Sequence, residues 1–224
     1  MNFRNTAFRL LLLPAVAAVA LLSTSCTGPR LNYYNEDLAL SRYREAIMLF
    51  PPLGRDALPA DYRGELGKYY QMALSRYTQG QITCANTIPD LKSALQPGNL
   101  MINGTVNMKE VTAIARTVGG NSALTIRVIE FKRYPPFRMV VEIIWLDCLS
   151  GNMIARMYDD IDMTDTETSY RFDNYIGDGY ARSLYEQFTH YKALAETAAL
   201  KPTVFMQFVA DYTIRKLTDQ VGDS

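Results

Sequence analysis

Reactive side chains are sparse in this 224-residue chain: three cysteines, Cys26, Cys84 and Cys148, and one histidine, His190. A cysteine attacks as its thiolate, with a base in hydrogen-bond reach and a third group orienting that base. Cys148 with His190, oriented by Asp147 or Asp173, supplies the residue types for a thiol hydrolase. The surroundings favour a plainer role. Cys148 closes the β-rich run "FRMVVEIIWLDC", where a cysteine is ordinarily a small hydrophobe, and His190 sits between Phe188 and Tyr191 on a helical stretch. No catalytic residue is assigned. The acidic run "DDIDMTDTE" (159–167) offers the oxygens calcium takes. It lacks the spaced ligands and glycine of a calcium loop and reads as a solvated strand end. No CxxC, no HExxH and no phosphate-binding glycine loop occurs, so neither a metal nor a cofactor is expected.

Cys26 has a different setting. Arg4 and Arg9 give a positive start, Leu10 to Leu22 form an apolar core, and Ser23, Thr24 and Ser25 are small residues ahead of the cysteine. The order is that of a secretory signal, and the core is too short for a transmembrane helix of about 20 residues. "LLSTSC" resembles the lipobox of bacterial lipoproteins, with Ser23 where that motif carries leucine and Leu22 one place earlier. The resemblance implies cleavage after Ser25 and lipid attachment at Cys26. Two or three acyl chains hold a protein firmly to a bilayer, each buried methylene contributing about 0.8 kcal/mol. Loss of Arg4 and Arg9 with residues 1–25 leaves 21 basic against 23 acidic side chains, a net charge of about −2, which is not that of a nucleic-acid binder. Cys84 and Cys148 then remain, and two readings stay open for them: one disulfide in an oxidising compartment, or two buried free thiols.

The elements that position these residues can be read from periodicity. Residues 26–43 read as a tether with a weakly helical end. "EAIMLFPP" is a short buried strand stopped by two prolines, and "QITCAN" is another. Between them, Tyr62, Leu66, Tyr69, Tyr70, Ala73, Leu74 and Tyr77 recur at helical spacing, with Pro59 before and Gly80 after. Gly64 and Gly67 interrupt this helix at about 1 kcal/mol each, which close packing against a neighbour would offset. Asn107 and Glu110 form a capping-box pattern ahead of a helix with Met108, Val111, Ile114, Ala115 and Val118 on one face, stopped by Gly119 and Gly120. Three β-rich runs follow across residues 123–163, joined by "YPPF" and "LSGN", which predicts an antiparallel meander. The middle run is apolar on both faces, so it should be a central strand. Two helical segments complete the chain, one with Tyr180, Leu184, Phe188 and Tyr191 on its stripe, the other beginning at Pro202. Tyr185 lies off the first stripe and is the candidate for contact with a partner.

The predicted class is α/β (α+β): a small mixed sheet with helices packed on it and added C-terminal helices. The expected organisation is 1–25 signal, 26–43 tether, 44–164 α/β domain, and 165–224 helical extension on the same domain. "EAIMLFPPLG", "VTAIARTVGGNSALTIRVIEF" and "VVEIIWLDCLSGNMIARMYDD" resemble the first strand, the helix–turn–strand and the hairpin of a periplasmic lipoprotein group. That group includes CsgG, LpoB, PelC and the N-terminal domain of TolB. The resemblance covers about residues 44–164, and Asp147 and Gly151 match its hairpin turn. It implies a non-enzymatic assembly, secretion-accessory or regulatory factor, lipid-anchored at the periplasmic face of the outer membrane. Its partner would be an envelope protein or polymer, or copies of itself. The alternatives are a ring component of an export system and the Cys148–His190 thiol hydrolase.

Overall fold

Strand β7 (Arg138–Asp147) organises the sheet because both of its faces are apolar: every residue after Arg138 is buried. The computed structural model describes residues 30–54, 56–177 and 199–222. β7 pairs antiparallel with β6 (Ser122–Lys132) on one side and β8 (Met153–Asp162) on the other, the meander expected from the turn residues. Gly151 takes φ +77° in the β7–β8 turn, a conformation that costs a side-chain-bearing residue energy. Beyond β6 lie two short parallel strands, β2 (Ile47–Leu49) and β3 (Ile82–Cys84), so the sheet is mixed; with β1 (Arg30–Tyr34) at the far edge its order is β1-β8-β7-β6-β2-β3. A separate hairpin pairs β4 (Met101–Ile102) with β5 (Thr105–Val106).

One face of the sheet is covered by helices. Helix α2 (Ala60–Tyr77) and the C-terminal helix α5 (Pro202–Gly222) run against each other there. Leu66, Tyr70, Phe205, Val209 and Ile214 meet Ile126, Val141, Ile143 and Trp145 in the larger core. Helix α4 (Thr166–Tyr175), which the sequence reading had not separated from the extension, adds Phe172. Its ring contacts Phe205 edge-on and tilts against Phe208. The opposite face carries α3 (Met108–Thr117), whose Val111, Ile114 and Ala115 pack on Ala123, Ile144 and Leu146. Met108 and Val118, placed on that apolar face by periodicity, are instead exposed at the two helix ends. Farther along, this face becomes polar. Glu142 is buried between Arg127 and Arg156, at 2.8 and 2.5 Å, which is how a charge is tolerated on a core strand.

The N-terminal boundary differs from the expected tether. Arg30–Tyr34 form the edge strand β1, paired antiparallel with β8, and helix α1 (Glu36–Arg42) follows directly. Asn35 caps α1, its side-chain oxygen accepting from the Leu38 N–H. The folded unit therefore includes Arg30–Tyr43, ahead of the expected start at residue 44. Gly80 also has a role other than ending a helix. α2 ends at Tyr77 with Thr78 as its cap, whereas a Cβ on Gly80 would lie 2.0 Å from the Glu45 carbonyl oxygen, where β2 and β3 come together.

Candidate functional site

Asp147 ends β7, and its carboxylate is a junction. It accepts from the backbone N–H of Leu149 (3.3 Å) and of Ser150 (2.8 Å), from the Ser150 hydroxyl, and from Nε of Arg42 (2.7 Å). Arg42 also donates to Glu45, which accepts from the Asn121 amide at 2.6 Å. Burial opposes ionisation of Asp147, but Ser150, Arg42 and the turn N–H groups outweigh it and hold the carboxyl below its ordinary range. The hairpin role expected for Asp147 is present, with an addition the sequence did not reveal: the turn is locked to helix α1.

Cys148 follows immediately and is fully buried in the core under α3. Burial first, and then the Asp147 charge, push its thiol up to about 11. A thiol so placed is protonated at neutral pH and has no open side for a substrate, which removes the structural basis for a Cys148 nucleophile. His190, its expected base, lies outside the described residues, as do Tyr185 and Cys26. Asp173 is exposed on α4. Cys84 and Cys148 are both free thiols. Cys84 is on the edge strand β3 and Cys148 at the end of β7, with β6 and β2 between. Three strand spacings of about 4.8 Å put them well beyond disulfide reach. Of the two readings left open, the structure takes free thiols, and it excludes the Cys84–Cys148 bond.

The pleat splits the acidic run. Asp160 pairs with Arg138, Asp162 accepts from the Thr164 hydroxyl and N–H, and Asp165 caps α4 through the Thr168 N–H at 2.8 Å. Asp159 turns the other way. It is buried, burial raises its carboxyl to about 6, and one of its oxygens has no hydrogen-bond partner. These carboxylates face different directions, and no group of three metal-ligating side chains converges among the described residues.

Two clefts of about 400 Å³ open on the helical side. The first lies at the C-terminal ends of β2 and β3. Phe50, Pro51, Cys84 and, from α2, Arg63, Gly64, Gly67 and Lys68 are among the residues that line it. Gly67 packs against Pro52, as expected for a tolerated helical glycine, but Gly64 meets nothing within 4 Å. Sequence reasoning took both glycines as packing residues; their spacing together with Arg63 was the available signal for a cleft. The second cleft lies among α2, α4 and α5. It is lined by Arg76, which bonds Asp211, and by Arg171, Tyr212 and Arg215. Positive and aromatic groups of this kind bind anionic or polar partners. Neither cleft holds a nucleophile paired with a base among the described residues.

No protein-family model matches the sequence, and no curated protein matches it. Solved structures do. The PelC dodecamer from Paraburkholderia phytofirmans is 11% identical over 63% of this chain and 86% of that one, at TM-score 0.39. The hypothetical protein CT253 from Chlamydia trachomatis is 11% identical over 80% of this chain and 99% of that one, at 0.46. The LpoB C-terminal domain from Salmonella enterica is 13% identical over 53% and 82%, at 0.39. PelC and LpoB are two of the proteins whose likeness was read in the sequence. At these scores nothing about what those proteins do passes to this chain.

Proposed function

We propose that this protein is a lipid-anchored, non-enzymatic factor of the bacterial cell envelope, held at a membrane through Cys26 and working by binding. The observation that carries the reading is the N-terminal pattern: basic start, apolar core, small residues, cysteine. One structural fact supports it: strand β1 reaches Arg30, so only Thr27, Gly28 and Pro29 separate Cys26 from the sheet. The buried Cys148 thiol and the two cation-rich clefts favour recognition over covalent chemistry. The partner class is an envelope protein or polymer with anionic groups, taken at the clefts and in the region of Tyr185, and copies of this chain are a further partner.

The test is complementation of a deletion strain for envelope integrity. A Cys148→Ala, His190→Ala double variant should restore it fully, and Cys26→Ala should not. Loss of function in the double variant with the fold intact would return the thiol-hydrolase reading.

A further inference from the structure

The strand register says which end of the body a lipid at Cys26 would hold to the membrane. Arg30 pairs with Tyr158, and β1 runs antiparallel to β8, so the chain enters β1 from the end of the sheet where β8 finishes. At that end Asp162 pairs with Arg138, and Arg138 with Lys132. The β6–β7 hairpin tip therefore stands at the end from which the N-terminal segment emerges. Four Cα steps of 3.8 Å limit Cys26 to within about 15 Å of Arg30. Arg30 stands level with Glu142, so along β7 it lies about 13 Å from Arg138 at the tip end and about 17 Å from Asp147 at the other, and β1 runs in from the tip end.

The tip has the chemistry of a membrane interface. Lys132, Arg133, Tyr134, Pro135 and Pro136 are five consecutive exposed residues, and Tyr134 is 64% exposed. Arg133 lies over the Tyr134 ring, 4.9 Å from its centroid. Below the tip, Phe137 is buried, stacks on Phe205 at 5.2 Å, and accepts from the Met163 N–H, so the tip is braced on the core. The acidic groups at this end include Glu130, Asp160 and Asp162, which pair with Arg138, Asp165 and Glu167 at the start of α4, and Asp61 in the first turn of α2, whose Tyr62 meets Phe131. Lys132 stands level with Arg138 and Arg133 follows it toward the tip, and neither forms an ion pair among the described residues. The other route to the bilayer, side-on through α1, presents Glu36 and Asp37, which an anionic surface repels.

We propose that Lys132–Pro136 is a second membrane contact, seating the body end-on with the Tyr134 ring at the headgroup level and Lys132 and Arg133 on lipid phosphates. The proposal rests on the lipid-anchor reading. Its occupant is the bilayer that holds the anchor.

The experiment uses the full lipidated chain in vesicles of phosphatidylethanolamine and phosphatidylglycerol, with and without bromine-labelled acyl chains. Tyr134→Trp reports from the tip and Leu149→Trp, on a 66% exposed site, from the opposite end. Trp145 is buried and adds the same background to both. Emission from Tyr134→Trp should fall by roughly half in the brominated vesicles, as for an interfacial tryptophan, and that from Leu149→Trp should hold. Adding Lys132→Glu and Arg133→Glu should weaken the quenching while the protein stays on the vesicles. Equal quenching, or none, at both positions in a chain whose mass shows acylated Cys26 overturns the tip contact alone. A chain without acyl mass at Cys26 overturns the anchor reading and the tip contact with it.

Discussion

Asp147 is the residue on which two elements depend, and its loss should be measurable as stability. Asp147→Ala removes the acceptor of the β7–β8 turn and leaves Arg42, largely buried, with Glu45 as its remaining carboxylate. The expected cost is about 3 kcal/mol by urea denaturation, in the range for breaking a buried ion pair. Because the folded-state pKa of Asp147 is lowered, its contribution is present above pH 4 and fades as pH falls through the folded value. Asp159 has the opposite sign. It faces Tyr70 of α2 and Tyr212 and Lys216 of α5, with Asp160 beside it on its own strand. Its carboxyl is raised to about 6 in the folded state, so folding keeps a proton that the unfolded chain releases. Stability from this group is full below pH 4 and is lost as pH rises toward 6, by about 2 kcal/mol. Asp159→Asn should flatten that part of the stability–pH curve, and an unchanged slope would contradict the assignment. At this scale the sequence was legible for Asp147, whose turn role follows from "LDCLSGN". It was not legible for Asp159, because only the pleat of β8 separates it from its solvent-paired neighbour Asp160.

Among the elements, α2 shows how far periodicity reaches. Tyr62, Leu66, Tyr70, Ala73 and Leu74 announced the helix, and all pack on the core. Its glycines did not announce what they do. Gly64→Ala adds a methyl where nothing lies within 4 Å and should stabilise the protein by about 0.5–1 kcal/mol, the helix-propensity difference. Gly67→Ala meets Pro52 at 3.3 Å and should gain less. Both variants narrow the first cleft, so thermal denaturation read beside the complementation assay separates a packing role from a binding one. The meander was legible because β6, β7 and β8 alternate or fill both faces and are joined by short turns. β1 was not, because five residues beside a chain end carry too little pattern to reveal an edge strand. Asn35, Glu36 and Asp37 were the readable start of α1, the weakly helical end expected for that stretch. The disulfide question turned on strand order, which no spacing between Cys84 and Cys148 encodes.

For the whole molecule, the fold class was legible in the sequence and the partner was not. If Cys26 carries the lipid, a three-layer body whose strand β1 starts at Arg30, four residues on, has little freedom to leave the surface. The direct measurement is flotation of membranes from cells making wild-type protein or Cys26→Ala, with the intact mass of each. The account predicts wild type in the floating fraction, starting at Cys26 and carrying acyl chains, with Cys26→Ala left in the soluble fraction. Wild type found soluble without acyl mass, or Cys26→Ala still floating with the membranes, would contradict it.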